Sequence, residues 1–207
     1  STSSAASDVY KRQKLLLLNS GLLYRYASKI LITKKPKKPI PYLRKIFKRI
    51  SYNLIKKQSL HSQEISNHVG YLAKDKAVRE IMRIYQKKII KKNKRICVEG
   101  RDIATKILNK NPRYDLAFYF TCKINIAAKR RWKELKKKVP LKEVQKSLAK
   151  RTKMDKKRKH SPLKKVNDAI LIRTDRLSKK EVLRRMSKEV EKICLLYTSD
   201  AADEVDG

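Results

Sequence analysis

The stretch ICVEGRDI, residues 96–103, passes from apolar residues directly into three charges arranged around a glycine. Isoleucine and valine fit a covered, pleated surface, so residues 96–99 are predicted to form a short interior strand. The glycine allows a sharp turn or a close approach between backbone and ligand. Ligands of open α/β sheets bind just past the strand ends. This stretch alone leaves two alternatives open, a binding site or a solvated turn with a local ion pair.

The two ends of the chain differ in origin from the residues between them. Residues 3–13 (SSAASDVYKRQ) and 194–204 (CLLYTSDAADE) translate one piece of DNA and its reverse complement, the second shifted by one base. That DNA looks like a transposase adaptor used to prepare sequencing libraries. Residues 1–13 and 194–207 are therefore predicted to be adaptor-derived tails and are excluded from the prediction of the fold. The predicted domain is residues 14–193.

Positive charge dominates the composition. The chain has 56 Lys and Arg against 19 Asp and Glu, a net charge of +37. Two of those bases and five of those acids lie in the tails, so residues 14–193 carry +40. Such a field attracts nucleic acid, anionic membranes or nucleotides. Most of the bases are lysines scattered among isoleucines and asparagines, a bias that an AT-rich genome also produces. The charge thus leaves open a basic RNA- or DNA-binding module and an enzyme of a lysine-rich proteome.

Length, cysteines and hydropathy narrow the class of protein. A domain of about 180 residues has the ordinary size of a single globular domain. Cys97 and Cys122 lie in apolar runs without the spacing of a zinc site, which predicts reduced thiols in a cytoplasmic protein and no metal site. The longest apolar stretch, residues 14–32, is interrupted by Asn19, Arg25 and Lys29, so no membrane span is predicted.

Strands and helices alternate along the predicted domain. Apolar runs predict strands at residues 15–18, 96–99, 114–121 and 169–173. Helical spacing of apolar residues predicts helices at 22–32, within 66–91, at 125–137 and at 141–154. Residues 33–59, rich in lysine and proline, are predicted to be a loop leading into a short basic helix. A capping box at Ser178 and Glu181 begins the last helix. The alternation favours an α/β fold with a parallel sheet.

Three polar clusters follow the strands or lie along a helix. They are S-G-x-x-Y-R at residues 20–25, E-G-R-D at 99–102, and R-x-x-x-D-x-x-R at 151–158. A glycine-flanked serine and several arginines at strand ends suit a phosphate monoester, because a planar guanidinium binds two phosphate oxygens at once. An aspartate beside such arginines holds them in place or accepts hydrogen bonds from an amino group or sugar hydroxyls. In isolation the third cluster is more typical of an ion-paired surface helix.

In this order and spacing, the clusters resemble those of the cytidylate kinase family of bacterial nucleoside monophosphate kinases. LNSGLLYR (18–25) is similar to D-[ST]-G-x-x-Y-R, and VEGRDIATKI (98–107) to E-G-R-D-[IM]-G-T. QEISNHVGYLAKDKAVREIMRIYQ (63–86) and KRTKMDKKRKHSPLKKVNDAILIRT (150–174) resemble two further segments of the family. The resemblance covers essentially all of residues 14–193. It implies a P-loop kinase-like, three-layer α/β/α fold with a parallel sheet, an NMP-binding segment at 33–92 and a helical lid at 128–160.

The resemblance also implies roles for individual residues. The CMP-binding residues would be Ser20, Gly21, Arg25, Arg79, Arg101, Asp102 and Asp155. Within this set, Arg79 and Arg101 would bind the base or phosphate region, and Asp155 the sugar. Arg151 and Arg158 would lie near the phosphates being exchanged, and Arg130 and Arg131 would belong to the lid that covers ATP.

The implied reaction is transfer of the γ-phosphoryl group of ATP, with Mg²⁺, to CMP or dCMP in pyrimidine nucleotide metabolism. Positioning and charge stabilisation would perform most of the catalysis. The expected enzyme is a cytoplasmic monomer whose partners are small-molecule nucleotides, with no specific nucleic acid and no membrane. A sister kinase with another base preference stays open, because Gly70 stands where the family often has a serine that contacts the base.

Two further departures from the family pattern affect the expected activity. Ala104 replaces the glycine of E-G-R-D-x-G-T, and residues 33–59 are short and basic where many members carry a small β insert. The family's phosphate loop, G-x-x-x-x-G-K-[ST], cannot be written with Gly21, Gly70 and Gly100, the glycines of residues 14–193. The resemblance predicts that the first strand, this P-loop and the first helix precede residue 14 and are cut off. The chain alone is then expected to be inactive.

Overall fold

The structure is a computed structural model that describes residues 15–203, without the side chains of Gln63 and of residues 194–203. The predicted tail at residues 1–13 and the final residues, 204–207, lie outside the described residues. The chain forms two compact units. The amino-terminal unit comprises Leu16–Pro112 and Lys153–Lys164, and the carboxy-terminal unit comprises Arg113–Thr152 and the residues from 165 onward.

The amino-terminal unit packs helices around a pair of parallel strands. Its elements are β1 (Leu16–Asn19), α1 (Ser20–Lys34), α2 (Pro39–Arg49), α3 (Tyr52–Lys56), α4 (Gln63–Leu72), α5 (Lys76–Lys92), β2 (Ile96–Glu99) and a π-helical turn (Ile103–Ile107). β1 pairs with β2 in parallel, from Leu16 opposite Ile96 to Asn19 opposite Glu99. Leu18 of β1 is fully buried. Both strands therefore end at the same edge, where Asn19 and Glu99 begin the loops that follow.

The carboxy-terminal unit contains a second parallel pair. Its elements are β3 (Phe118–Thr121), α6 (Ile124–Glu134), α7 (Leu141–Lys157, whose residues from Lys153 belong to the amino-terminal unit), β4 (Ile170–Arg173) and α8 (Lys179–Asp203). Phe118 of β3 lies opposite Ile170 of β4. A core of Ile172, Val182 and Met186 packs against the phenylalanines of β3. The α/β class with parallel strands is confirmed in both units.

The predicted capping box is confirmed at the start of α8. The Ser178 backbone N–H donates to Glu181 Oε2 at 2.7 Å, and the Glu181 N–H donates to Ser178 Oγ at 3.3 Å. Two donors that a helix start leaves without intrahelical partners are thereby satisfied.

The prediction for residues 33–59 was wrong in part, because helices replace most of the expected loop. α1 continues to Lys34, and α2 and α3 follow within the segment. Pro39 stands at the first helical position of α2, and Pro41 lies in its first turn. The N–H groups there have no intrahelical partner, so proline is tolerated and its fixed φ favours a helix start. Leu43 and Phe47 are buried one turn apart and anchor α2.

Several predicted boundaries differ from the structure, and three of them have a local physical reason. α1 begins at Ser20, not at residue 22, because the Asn19 side chain caps it by accepting the Leu22 N–H at 3.3 Å. The strand predicted at 114–121 begins only at Phe118, since its partner β4 offers four residues for pairing. The helix predicted at 125–137 ends at Glu134, and the following lysines at 136 and 137 adopt left-handed φ of 51° and 60°.

A helix that crosses a membrane must be both long and apolar. Within residues 15–203, no helix combines the length and the apolar content needed to cross a bilayer.

Candidate functional site

The strand ends of the amino-terminal unit bring the first two polar clusters together. Asn19 Nδ2 donates to Glu99 Oε2 at 3.0 Å across the paired strand ends. A Cβ on Gly100 would lie 2.7 Å from Ile103 Cδ1 and 3.0 Å from Ser20 Oγ, so a larger residue would crowd both the loop after β2 and the start of α1. A Cβ on Gly21 would lie 3.0 Å from the Asn19 Oδ1 that caps α1. The sequence clusters S-G-x-x-Y-R and E-G-R-D thus form one local site.

Two residues of the first cluster join α1 to neighbouring elements. Ser20 is buried, and its hydroxyl donates to Gln86 Oε1 of α5 at 2.5 Å. Arg25 Nη1 donates to the Leu60 carbonyl at 3.1 Å and to Ser66 Oγ of α4 at 2.9 Å. Neither Gln86 nor Ser66 was identified from the sequence, because their contacts join residues far apart in the chain.

Arg79 is held through each of its guanidinium nitrogens. Nη2 pairs with Asp102 Oδ2 at 2.5 Å, Nη1 donates to the Ala73 carbonyl at 3.1 Å, and Nε donates to Ser161 Oγ at 3.3 Å. The guanidinium lies 5.9 Å from the centroid of the Tyr24 ring. Both members of the Arg79–Asp102 ion pair are nearly buried, with 10% and 12% of their side chains exposed. These contacts fix the orientation of Arg79.

Asp155 lies between two further arginines. Its Oδ1 accepts from Arg158 Nη1 at 3.3 Å, and its Oδ2 lies 3.6 Å from Arg101 Nε. Arg158 is held at its other side by the Ser161 carbonyl, which accepts from Nε at 2.5 Å. The Arg101 side chain is 45% exposed, against 15% for Asp155 and 12% for Arg158. Arg101 is therefore the arginine of this cluster that solvent or a ligand reaches most easily.

The electrostatics of this arginine cluster suit an anion. Its guanidinium groups outnumber its carboxylates, because Arg79, Arg101 and Arg158 face Asp102 and Asp155. Burial lowers the pKa of Arg158, and the nearby Arg79 cation lowers it further, although Asp155 and Asp102 raise it. Among the described residues, Arg158 Nη2 and Asp155 Oδ2 are buried without a hydrogen-bond partner. A bound anion would neutralise the excess charge and accept from the uncommitted donor.

Burial also perturbs the aromatic ring beneath Arg79. It raises the pKa of Tyr24 to about 12, against a smaller opposing effect of the Arg79 cation. The phenol is therefore neutral at physiological pH. It adds no negative charge to the arginine cluster.

The remaining predicted site residues lie in the carboxy-terminal unit. Arg130 Nη2 donates to the backbone carbonyls of Thr174 at 2.7 Å and Leu177 at 3.1 Å. Arg131 pairs with Glu134 one turn later at 3.1 Å and is 48% exposed. Arg151 lies exposed on α7. The structure thus gathers the CMP-binding candidates in one unit and places the two lid arginines and Arg151 in the other.

Sequence reasoning missed two residues of the arginine cluster. Tyr24 is part of the S-G-x-x-Y-R motif but has no predicted role, although its place in that motif was a usable signal. Ser161 gave no signal, because a residue before proline is expected to be extended. In the structure Ser161 adopts a left-handed φ of 52°.

The possible metal ligands and the two cysteines are further candidates for a part in this site. Among the described residues, no three His, Cys, Asp or Glu side chains form a group that could hold a metal ion. We therefore assign no Mg²⁺ ligand to the described residues. Cys97 and Cys122 are free thiols, and burial raises the pKa of Cys97 to about 11, which keeps it protonated.

Comparison with known proteins points to one family. A family model described as cytidylate kinase matches residues 1–192. The bifunctional pantoate ligase/cytidylate kinase of Prochlorococcus marinus subsp. pastoris is 32% identical over 221 residues, covering 95% of this chain and 40% of that protein. The cytidylate kinase of Thermosipho melanesiensis is 39% identical over 140 residues, 66% of this chain and 63% of the relative. That of Mycoplasma genitalium is 30% identical over 205 residues, 92% of each chain.

The chain thus spans less than two thirds of the first two of these relatives. The family match includes residues 1–13, whose origin as adaptor stays a prediction. The match over residues 1–192 confirms the resemblance seen in the motifs, together with its α/β P-loop kinase fold. The chain belongs to the cytidylate kinase family.

Proposed function

We propose that this chain forms the CMP-binding part of an enzyme that transfers the γ-phosphoryl group of ATP to CMP or dCMP, giving CDP or dCDP. Membership of the family supports the reaction. The observation that carries the proposal is the arginine cluster around Asp102 and Asp155, largely buried apart from Arg101, which has excess positive charge and an uncommitted donor on Arg158. An anionic monophosphate supplies what this cluster lacks.

The contacts favour separate roles for the members of the cluster. Arg101 is exposed, and its contact with Asp155 is a long ion pair of 3.6 Å, so its planar guanidinium is able to turn and donate two bonds to a phosphate. Asp155 keeps an acceptor oxygen, Oδ2, for a sugar hydroxyl. The fixed Arg79–Asp102 pair places donors beside an acceptor, which suits the polar edge of the base.

Phosphoryl transfer needs positioning and charge neutralisation more than covalent chemistry, because its transition state spreads negative charge over the transferred oxygens. Arg101 and Arg158 of the amino-terminal unit are the proposed cations near those oxygens, and a role for Arg151 stays an implication of the family resemblance. Mg²⁺ would arrive with ATP and neutralise charge on its phosphates. Of the two lid candidates, Arg131 is exposed and suits ATP contact, whereas Arg130 would first have to leave its backbone carbonyls.

Gly70 bears on the choice of base. Apart from its chain neighbours and the backbone of its own helix, no described residue places an atom within 4 Å of the position that a Cβ on Gly70 would occupy. The space allows a larger base or a base bound without a serine hydroxyl, which keeps a sister nucleoside monophosphate kinase as the second candidate. Titration of the chain with CMP, dCMP, UMP and AMP distinguishes the two, and CMP and dCMP should bind most tightly.

Calorimetry and an ADP-forming assay test the proposed function together. The 207-residue chain should bind CMP but not turn it over with ATP and Mg²⁺, because its sequence holds no G-x-x-x-x-G-K-[ST] loop. Adding the amino-terminal P-loop segment of a family member should produce CDP. Absence of CMP binding, or turnover by the chain without that segment, would contradict the proposal.

A different class of function is favoured by one observation, the absence of Asp and Glu between residues 14 and 63. This run includes exposed bases such as Lys34, Lys45 and Lys56, which suit a polyanion. We expect only non-specific binding to duplex DNA or RNA, lost at physiological salt through counterion release. Nanomolar, sequence-selective binding at that salt would favour the nucleic-acid module. We further propose a cytoplasmic monomer, which sedimentation of the chain would test for the oligomeric state.

A further inference from the structure

Ser161 contacts two guanidinium groups of the arginine cluster at once. Its hydroxyl oxygen accepts from Arg79 Nε at 3.3 Å, and its backbone carbonyl accepts from Arg158 Nε at 2.5 Å. Arg79 comes from α5, whereas Arg158 follows the end of α7. A single residue therefore ties together two arginines that are distant in the sequence.

The backbone of Ser161 is held in an unusual conformation. Its φ is 52°, in the left-handed region, and it precedes Pro162. A residue before proline favours extended geometry, and a residue other than glycine loses free energy at positive φ. The surrounding loop is closed by the Leu163 N–H, which donates to the Asp155 carbonyl at 2.8 Å. Strained residues that their surroundings hold in place concentrate at functional sites.

We propose that Ser161 is a positioning residue that sets the relative orientation of Arg79 and Arg158 for CMP. The inference rests on the proposed function, because it assigns these arginines to the CMP site. The side chain acts on Arg79, and the main chain acts on Arg158. Substitution of the side chain therefore separates the two effects.

The first test needs no nucleotide. Nitrogen-15 NMR of the 207-residue chain resolves the Nε–H signals of arginines, and Ser161→Ala should shift the Arg79 signal and speed its exchange with water. The Arg158 signal should change little, since the carbonyl acceptor remains. Ser161→Gly provides a second variant that lacks the hydroxyl but accommodates positive φ without strain. Ser59→Ala, an exposed serine of the same unit, is the matched control.

The second test measures the dissociation constant for CMP by calorimetry. Ser161→Ala and Ser161→Gly should each weaken CMP binding about tenfold, as expected for loss of one bond to a charged group. In an Arg79→Lys background the same substitutions should change the constant less than about twofold, because lysine has no Nε–H to position. If the substitutions acted through a general loss of stability, they would weaken CMP binding by the same factor in both backgrounds.

The outcomes separate this inference from the proposed function. The role of Ser161 would be overturned, and the proposed function kept, by either of two results. In the first, the wild-type chain binds CMP and both Ser161 variants bind it equally well. In the second, the Ser161 substitutions weaken CMP binding as much in the Arg79→Lys background as in the wild type. The role of Ser161 would also be overturned if Ser161→Ala left the chemical shift and the water exchange of the Arg79 Nε–H unchanged. If the wild-type chain does not bind CMP, the proposed function fails and this role fails with it, while the NMR result still shows whether the bond exists.

Discussion

Arg79 and Arg158 of the amino-terminal unit differ from Arg130 of the carboxy-terminal unit in whether a carboxylate faces the guanidinium. In the amino-terminal unit, Arg79 and Arg158 pair with carboxylates that are themselves largely buried. In the carboxy-terminal unit, Arg130 donates to the carbonyls of Thr174 and Leu177 and so holds the turn before α8. The first arrangement concentrates charge and leaves an uncommitted donor, whereas the second satisfies backbone acceptors.

This difference shows that residue type alone does not assign an arginine to a binding site. A guanidinium whose donors bind main-chain carbonyls stabilises a fold, because those acceptors would otherwise be unsatisfied. A guanidinium held by a carboxylate in a net-positive cluster keeps charge for a ligand. The arginine cluster and Arg130 should therefore respond differently to substitution, in stability and in CMP binding.

The largest expected effect is from Asp102→Asn, which removes the charge that Arg79 faces. A nearly buried guanidinium would lose its counter-ion, and breaking such a pair is strongly destabilising, by about 3 kcal/mol or more. We expect CMP binding to fall at least a hundredfold and the free energy of unfolding to fall in denaturant titrations. Asp168→Asn, in the exposed pair with Arg113, is the matched control and should be nearly silent. If Asp102→Asn and Asp168→Asn changed CMP binding and stability to a similar extent, the two units would not differ in how their ion pairs serve the site.

Arg130→Met should give the opposite pattern. Losing its bonds to backbone carbonyls should lower the free energy of unfolding by about 2 kcal/mol, while the dissociation constant for CMP stays unchanged. Arg131→Met, at an exposed helix position, should leave stability almost unaffected. Denaturant unfolding and calorimetry on the same samples measure both quantities. Unchanged stability with weakened ATP binding would instead establish Arg130 as a lid residue.

The smallest effect concerns two phenols at high pH. Burial raises the pKa of Tyr24 from 10.0 in the unfolded chain to about 12 in the folded protein. The unfolded chain therefore loses its proton first, so the free energy of unfolding is at its full value below pH 10 and falls as the pH rises toward 12. Tyr24→Phe removes that loss, so relative to wild type it should gain about 1 kcal/mol near pH 11. Tyr114→Phe, at the exposed phenol that donates to Asp168, should give a smaller gain. Denaturant unfolding at several pH values provides the comparison, and equal slopes for wild type and Tyr24→Phe would show that the phenol is not buried.

Much of the fold and the grouping of the site followed from local sequence patterns. The bounds of β2 were predicted as Ile96–Glu99, because a β-branched apolar run stops at a charged residue before a glycine. The capping box at Ser178 was predicted from two residues at fixed spacing. The first two clusters were each placed after a strand from the sequence, and the structure pairs those strands in parallel, so that both clusters lie at one edge.

The rest depended on contacts between residues distant in the sequence. Prolines in residues 33–59 suggested a loop, but burial of Leu43 and Phe47 selects a helix that begins at Pro39. The left-handed Ser161 has no sequence signal, since tertiary hydrogen bonds to Arg79 and Arg158 hold it there. In the same way, no local pattern showed that backbone carbonyls occupy the donors of Arg130.

The most direct test of the central claim is the dissociation constant for CMP in Arg101→Lys beside Arg44→Lys. Lysine keeps the charge but cannot form the planar two-bond contact, and losing one charge-assisted bond costs about 1.5–3 kcal/mol. At Arg101, 45% exposed beside Asp155, CMP binding should therefore weaken by about one to two powers of ten. Arg44, exposed on α2, should tolerate the change almost without effect. Equal and small effects at both positions would show that the charges after β2 form only a solvated turn, and the site assignment would be wrong.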